Sequence, residues 1–286
     1  MFRTIKLFMR TIKTVLAQSA NILKYHSDSP LLDAEVLLAW VLQKTRSYLR
    51  AWCDNELTLE QLIHFEQLLT KRQQGMPIAY LIGQREFWSR DFKVSPEVLI
   101  PRPDTEVLIE LCLPLIPQNQ AYRLLDLGTG SGIIAITLAA ERPLIQVTAV
   151  DYSESALEIA KQNALAHSIN TVDFYQSNWF ASIKEQQFDI IVSNPPYIAS
   201  DDVHLLQGDV RFEPKTALVA DDEGLRDIKI IAKTAKHYLK NQGYLLIEHG
   251  YNQETAVQAI FLANNYVDIK TERDLSGQAR VTMGKN

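Results

Sequence analysis

A chain of 286 residues, 47% of them hydrophobic, is long enough for one large or two ordinary domains with well-filled cores, and it reads as soluble and globular. Its 29 Lys and Arg are outnumbered by 34 Asp and Glu, a net charge of -5 without a long basic run, which argues against an extensive sequence-independent grip on a phosphate backbone. Cys53 and Cys112 match no metal or redox spacing, so packed reduced thiols, a cytoplasmic location and no metal site are expected.

The first 27 residues carry Arg3, Lys6, Arg10, Lys13 and Lys24, and no acid precedes Asp28. Because the charges recur every three or four residues and no apolar run reaches membrane-spanning length, a basic amphipathic helix is expected here ahead of a transit peptide. Ser29 followed by Pro30 reads as an N-cap with proline at the first helical position, opening LLDAEVLLAWVLQ. Thr58 with Gln61 reads as a capping box ahead of LEQLIHFEQLLTKRQQ, which Gly75 and Pro77 close. Residues 1–84 are therefore expected to form a small helical domain without a catalytic cluster, His26 and His64 being structural or surface residues. Aromatic and β-branched residues around turn signals make residues 85–106 a hairpin linker.

Over residues 107–286 the pattern becomes strand, helix, strand, helix. RLLDLG, QVTAVD, TVDFY, FDIIVSN, GYLLIEHG and VDIKTE read as strands, with ARVTMGKN a weaker candidate, and helical stretches intervene. Such alternation implies an α/β fold, a mostly parallel sheet with helices on both faces and ligands beyond the carboxyl ends of the strands.

Directly after the first of these strands stands LDLGTGSGIIA, with Gly128, Gly130 and Gly132. Glycines there let backbone N–H groups and a helix N-terminus approach a ligand closely. Asp151, ending the next strand, is placed to accept ribose hydroxyls, so an adenosine-type ligand is expected. Gly130, Gly132 and Ala135 formally satisfy the dinucleotide pattern, which keeps a dehydrogenase as a rival. Against it, Asp126 precedes the loop where a pyrophosphate would be repelled, and a cationic cofactor such as S-adenosylmethionine suits it better.

The stretch FDIIVSNPPYIAS ends a buried strand, Phe188 and Ile190 to Val192, in an amide, two prolines and a tyrosine. Pro195 and Pro196 fix their own φ and stiffen the turn after Asn194. A planar NH₂ is a poor nucleophile because its lone pair is delocalised into the adjoining sp² carbon. The Asn194 side-chain oxygen and the Pro195 carbonyl can each accept one of its N–H groups and aim the lone pair at a methyl group, while Tyr197 covers the flat face of the substrate.

GTGSG, AVD at Asp151, NWF at Asn178 to Phe180, NPPY at Asn194 to Tyr197, QGDVRFEP at Gln207 to Pro214 and LLIEHG near Glu248, with the upstream REFW and IPRPDTE, together resemble the bacterial PrmC/HemK-type peptide chain release factor glutamine methyltransferases. NPPY alone is shared with DNA and RNA amine methyltransferases; its combination with IPRPDTE and QGDVRFEP is more specific. The resemblance covers nearly the whole chain from about Thr11. It implies a class I S-adenosylmethionine-dependent methyltransferase domain, Rossmann-like with a terminal antiparallel strand, behind an N-terminal helical domain that recognises the substrate. It further implies methyl transfer to the glutamine of the GGQ loop of class 1 release factors, with S-adenosylhomocysteine as the other product. Carried over residue by residue, Gly128, Thr129, Gly130, Ser131 and Gly132 line the methionine part of the cofactor, Asp151 takes the ribose and Trp179 packs near the adenine. Asn194, Pro195, Pro196 and Tyr197 hold the glutamine amide, Asn194 also standing close to the cofactor. Many members have an acidic residue where this chain has Asn178, and residues 1–10 extend beyond the family's usual start as an extra turn of helix.

Two rivals complete the expectations. An N-methyltransferase acting on an exocyclic amine of adenine or guanine in nucleic acid would face the same planar chemistry, but the acidic balance disfavours it. A noncatalytic module that kept the fold sits poorly with an intact NPPY. A monomer is expected, with no membrane association and no direct nucleic-acid binding required.

Overall fold

In a computed structural model, residues 10–286 are described. Of the basic helix expected over the first 27 residues and the extra turn expected over residues 1–10, residues 1–9 lie outside the described residues; Arg10 is not helical, and the helix that is described begins at Ile12. The chain divides into two compact units, the first running to Gly83 and taking in Leu206–Phe212, the second comprising Gln84–Leu205 and Glu213–Asn286.

The first unit holds α1 (Ile12–Leu23), α2 (Pro30–Leu42), α3 (Arg46–Ala51), α4 (Leu59–Gln73) and α5 (Ile78–Ile82). Ile12, Leu23, Leu37, Leu38, Leu49 and Phe65 fill its core. The capping box opens α4 as the sequence predicts: Gln61 N donates to Thr58 Oγ1 at 3.2 Å and Thr58 N to Gln61 Oε1 at 2.9 Å. Ser29 stands at the N-cap position of α2 with Pro30 at the first helical position, as expected, but its side chain makes no cap hydrogen bond. Its backbone is outside the extended region a cap needs, and its hydroxyl instead donates to Asp33 Oδ1 at 3.3 Å. Asp33 is buried and receives Arg72 Nε at 2.7 Å, while Arg72 Nη1 reaches Asp209 Oδ1 at 3.0 Å. That second carboxylate explains why Leu206–Phe212, expected with the methyltransferase domain, belongs to this unit.

The second unit opens with β1 (Gln84–Phe87) and β2 (Arg90–Lys93), an antiparallel hairpin, and α6 (Glu106–Cys112). There follow β3 (Arg123–Leu127), α7 (Ile133–Glu141), β4 (Gln146–Asp151), α8 (Glu154–Ala166), β5 (Val172–Gln176), β6 (Phe188–Ser193), α9 (Arg226–Tyr238), β7 (Leu239–Glu248), α10 (Glu254–Ala263), β8 (Val267–Arg273) and β9 (Ala279–Lys285). The hairpin is an integral part of this unit, not a separate linker. Phe87 and Phe92 are buried, and Asn163 of α8 brackets the chain at Lys93, accepting from its N–H at 2.7 Å and donating to its carbonyl at 3.0 Å.

The seven-stranded sheet has the order β5-β4-β3-β6-β7-β9-β8. The first five strands run parallel; β9, the weak strand candidate, is inserted antiparallel between β7 and β8. Alternate residues feed opposite faces: Leu124, Ile190 and Val192 pack under α6 and α7, whereas Leu125, Ile191 and Ile247 pack under α9 and α10. The strand order reverses between β3 and β6, so the carboxyl ends of β4, β3, β6 and β7 open on the crevice where ligands of such sheets bind.

Candidate active site

At the end of β3 the chain turns through the glycine loop into α7. Gly128 N and Thr129 N both donate to the Val150 carbonyl at 2.9 Å, tying the loop to β4. Gly130 N donates to Asp151 Oδ2 at 2.8 Å and Ser153 N to Oδ1 at 2.9 Å. Burial pushes the Asp151 carboxyl upward, while these bonds pull it back. Each carboxylate oxygen has more than one acceptor site, so Asp151 keeps capacity for hydroxyl donors. Gly132 begins α7 at φ +85°, and a Cβ there would stand 2.7 Å from Ile136 Cδ1 and 3.2 Å from Ala160 Cβ. No larger residue fits this helix-to-helix contact.

A cavity of about 870 Å³ opens over these strand ends, with Gly128, Gly130, Asp151, Asn178, Trp179 and Pro196 in its wall. Its size suits a nucleoside-bearing ligand. Trp179, held at φ +50°, donates its indole N–H to Asp227 Oδ1 at 3.2 Å, and its ring lies against the Gly128 side of the loop. Burial raises the Asp227 carboxyl, offset by that bond. Asn178 is exposed at the rim.

Several expected cofactor residues lie behind this wall. Thr129 is buried and its hydroxyl donates to Asp126 Oδ2 at 2.7 Å; Ser131 is buried and its carbonyl accepts from Asn163 Nδ2 at 2.8 Å. Asp126, expected to meet a cation, sits beneath the loop: burial pushes its carboxyl up to about 7 against the Thr129 bond, and its Oδ1 has no hydrogen-bond partner among the described residues. Of the Asn-Pro-Pro-Tyr turn, Pro196 lines the cavity, and Asn194, Pro195 and Tyr197 do not.

That turn follows β6, whose last residue, Ser193, donates its hydroxyl to the Leu127 carbonyl at 2.8 Å. Asn194 Nδ2 donates to Thr105 Oγ1 at 3.2 Å, and Asn194 Oδ1 is buried with no hydrogen-bond partner among the described residues. Tyr197 Oη donates to Glu248 Oε1 at 3.3 Å, and the Tyr197 carbonyl accepts from Gln253 Nε2 at 3.0 Å. A Cβ on Gly224 would collide with that carbonyl, so the turn is held from both sides. Burial and the neighbouring Glu248 push the Tyr197 phenol far above its usual range, which keeps it a neutral donor.

Glu248 ends β7 almost fully buried. Burial pushes its carboxyl up to about 7, with the Thr105 hydroxyl, Arg280 and Tyr197 pulling the other way. The Thr105 hydroxyl faces this carboxyl, yet among the described residues nothing completes a hydrogen bond to Oε2. Thr105, Asp227 and Glu248 are the site residues that sequence reasoning misses. The available signal was polar residues enclosed by apolar runs or fixed turns, Glu248 within LLIEHG and Thr105 within IPRPDTE. Chemically, a carboxamide oxygen without a donor is suited to receive an N–H group, and the cavity beside Pro196 is suited to deliver the reagent. Among the described residues no cluster could hold a metal ion.

Residues 14–83 match the family model described as PrmC N-terminal domain, and residues 105–209 the one described as Methyltransferase small domain. The release factor glutamine methyltransferase of Shewanella oneidensis is 49% identical over 259 residues, spanning 91% of this chain and 90% of its own length. That of Escherichia coli is 48% identical over 259 residues, 91% of this chain and 93% of its own. Among solved structures, a methyltransferase from Pyrococcus furiosus matches with a TM-score of 0.53 at 16% identity, covering 80% of this chain and 98% of its own, a likeness of fold alone.

Proposed function

The chain belongs to the release factor glutamine methyltransferases, and we propose that it transfers the methyl group of S-adenosylmethionine to the side-chain amide nitrogen of the glutamine in the GGQ motif of class 1 peptide chain release factors, supporting translation termination. The observation that carries this reading is Asn194 Oδ1, buried and without a donor among the described residues, in the turn whose Pro196, two residues on, walls the cavity.

The residues of the cavity fit the cofactor. Asp151 has acceptor capacity left for the ribose hydroxyls, the loop at Gly128 and Gly130 brings backbone close to the methionine part, and Trp179 offers a flat face for the adenine. Asn178 supplies an amide oxygen where an acidic residue is common, and that oxygen still accepts from the adenine amino group. Bound there, S-adenosylmethionine supplies an electrophilic methyl group and departs as the neutral thioether.

The chain's own residues prepare the nucleophile. Asn194 Oδ1 and the Pro195 carbonyl each accept one N–H of the glutamine amide, which weakens the conjugation of its lone pair and points it toward the cavity. As the N–C bond forms, positive charge develops on the nitrogen, and the two fixed carbonyl dipoles stabilise it. One N–H proton is then lost to solvent. Tyr197 packs on the amide plane, held by Glu248 through its hydroxyl. Recognition of the factor is assigned to the first unit, and the enzyme is taken to act as a monomer. Among the described residues no helix is long and apolar enough to cross a membrane.

Intact mass spectrometry of a release factor incubated with the enzyme and S-adenosylmethionine tests the assignment. One added methyl is expected, absent when the GGQ glutamine of the factor is changed to alanine. An unmodified factor, with cofactor binding still measurable by calorimetry, would overturn the substrate assignment.

A further inference from the structure

Asn194 can serve as an acceptor toward the substrate only if its amide is turned the right way round. A carboxamide has an oxygen and an NH₂ of nearly the same shape, and the flipped rotamer would present two donors to a substrate that is itself a donor. Something in the protein must therefore decide between the two orientations. The candidates are the groups behind the turn: Thr105, 3.2 Å from Asn194 Nδ2, and Glu248, whose carboxyl faces the Thr105 hydroxyl and receives Tyr197 Oη at 3.3 Å.

We infer that Thr105 and Glu248 are positioning residues that fix the Asn194 amide with its oxygen toward the substrate, by a directed chain in which Asn194 N–H donates to Thr105 Oγ1 and the Thr105 O–H is drawn to the Glu248 carboxylate. This rests on the proposed role of Asn194. The logic is one of available protons. A threonine hydroxyl has one hydrogen, and if that hydrogen points to an acceptor, only lone pairs remain for Asn194. Glu248 is the acceptor at hand, and its Oε2 has no competing donor among the described residues. Both Thr105 and Glu248 are about 1% exposed, so water does not compete to scramble the direction.

The charges around Glu248 make the direction sensitive to pH. From the turn before α6 come Asp104 and Arg102, from the Asn-Pro-Pro-Tyr turn Tyr197, from β9 Arg280, and His249 follows on the same chain. Arg280 is shared with Asp104 at 3.1 Å and Asp274 at 2.9 Å, and Arg102 is held by Glu213 at 2.7 Å. His249 stays neutral: burial lowers it, Nδ1 faces the Gly250 carbonyl at 2.9 Å and Nε2 faces Thr282 Oγ1 at 2.8 Å. Among the described residues no ion pair engages Glu248, and Arg280 acts on it only at a distance. Protonated, its carboxyl becomes a donor, Thr105 can turn its hydrogen to Asn194, and the flipped amide becomes the favoured one.

The test has a kinetic and a spectroscopic arm. Thr105→Val, nearly isosteric, is expected to lower kcat on release factor by about ten- to a hundredfold, below the loss for a direct transition-state contact, with cofactor affinity and thermal midpoint retained. Thr105→Ser, which keeps the hydroxyl, is expected to restore most of it. In the wild-type protein without substrate, the proton resonances of the Asn194 side-chain amide are expected to follow a titration near pH 7, where the Glu248 carboxyl changes charge. Glu248→Gln is expected to abolish that dependence. Wild-type kcat in Thr105→Val, or Asn194 amide protons indifferent to pH in the wild type, would overturn the inference. Should the wild-type enzyme leave release factor unmethylated, the function assignment fails and the resonance measurement still decides this one.

Discussion

Asp151 and Glu248 end two strands of the same sheet edge, and the protein treats them in opposite ways. Asp151 has backbone donors on both oxygens and lines an open cavity. Glu248 is almost fully buried and, among the described residues, holds a single phenol at 3.3 Å and leaves one oxygen without a partner, as does Asn194 beside it. An unmade hydrogen bond of this kind costs roughly 1–3 kcal/mol. On the proposed assignment, Asp151 is already hydrogen-bonded and accepts a ligand on top, whereas Asn194 Oδ1 is held open for a donor that the substrate brings.

Substitutions at the two ends are expected to have separable effects. The largest concerns Asn194→Ala, expected to lower kcat by on the order of a hundred- to a thousandfold. Because Asn194 is not in the cavity wall, calorimetry on the same variant is expected to give an unchanged cofactor affinity. A comparable loss of affinity would merge the two ends into one. Asp151→Ala should do the reverse. Its Kd for S-adenosylmethionine is expected to rise by about ten- to a hundredfold, from the loss of charge-assisted bonds, while kcat at saturation changes little.

A third prediction follows from the raised carboxyl of Glu248. Between the ordinary value of 4.5 and the folded value of about 7, the native state binds more protons than the unfolded chain. Stability from this group is therefore full at low pH and is lost as pH rises through that window. Glu248→Gln, which removes the buried charge, should gain on the wild type by roughly 1–3 kcal/mol between pH 4.5 and pH 8. Denaturant unfolding at both pH values measures it, and parallel curves would show that Glu248 is not protonated in that range. The smallest effect is assigned to Asp227→Ala. Freeing the Trp179 indole from its acceptor is expected to weaken cofactor binding about three- to tenfold, with no change in kcat at saturation.

The parts of this site that are legible in the sequence are those carried by contiguous residues. The glycine loop, the aspartate ending the next strand and the Asn-Pro-Pro-Tyr turn each pair a local backbone requirement with a local side chain. Thr105, Asp227 and Glu248 are different: they reach their partners across 89, 48 and 51 residues, so only the strand order brings them together. The same reason explains β9. Gly284 and Lys285 weaken its propensity, and pairing on both sides with β7 and β8 overrides it. Ser29 shows the converse, a cap position whose side-chain cap bond is lost because its hydroxyl serves Asp33. The placement of Leu206–Phe212 likewise depends on Arg72 and Asp209, which stand 137 residues apart.

A direct competition offers the enzyme both kinds of planar nitrogen at once. Purified release factor and nucleic acid are incubated together with methyl-labelled S-adenosylmethionine, the two are separated, and the labelled position is mapped by tandem mass spectrometry. Label is expected in the factor alone, on the GGQ glutamine side chain, and strongly reduced with Asn194→Ala. Label on an adenine or guanine amine, with the factor unmodified, would contradict the release factor assignment.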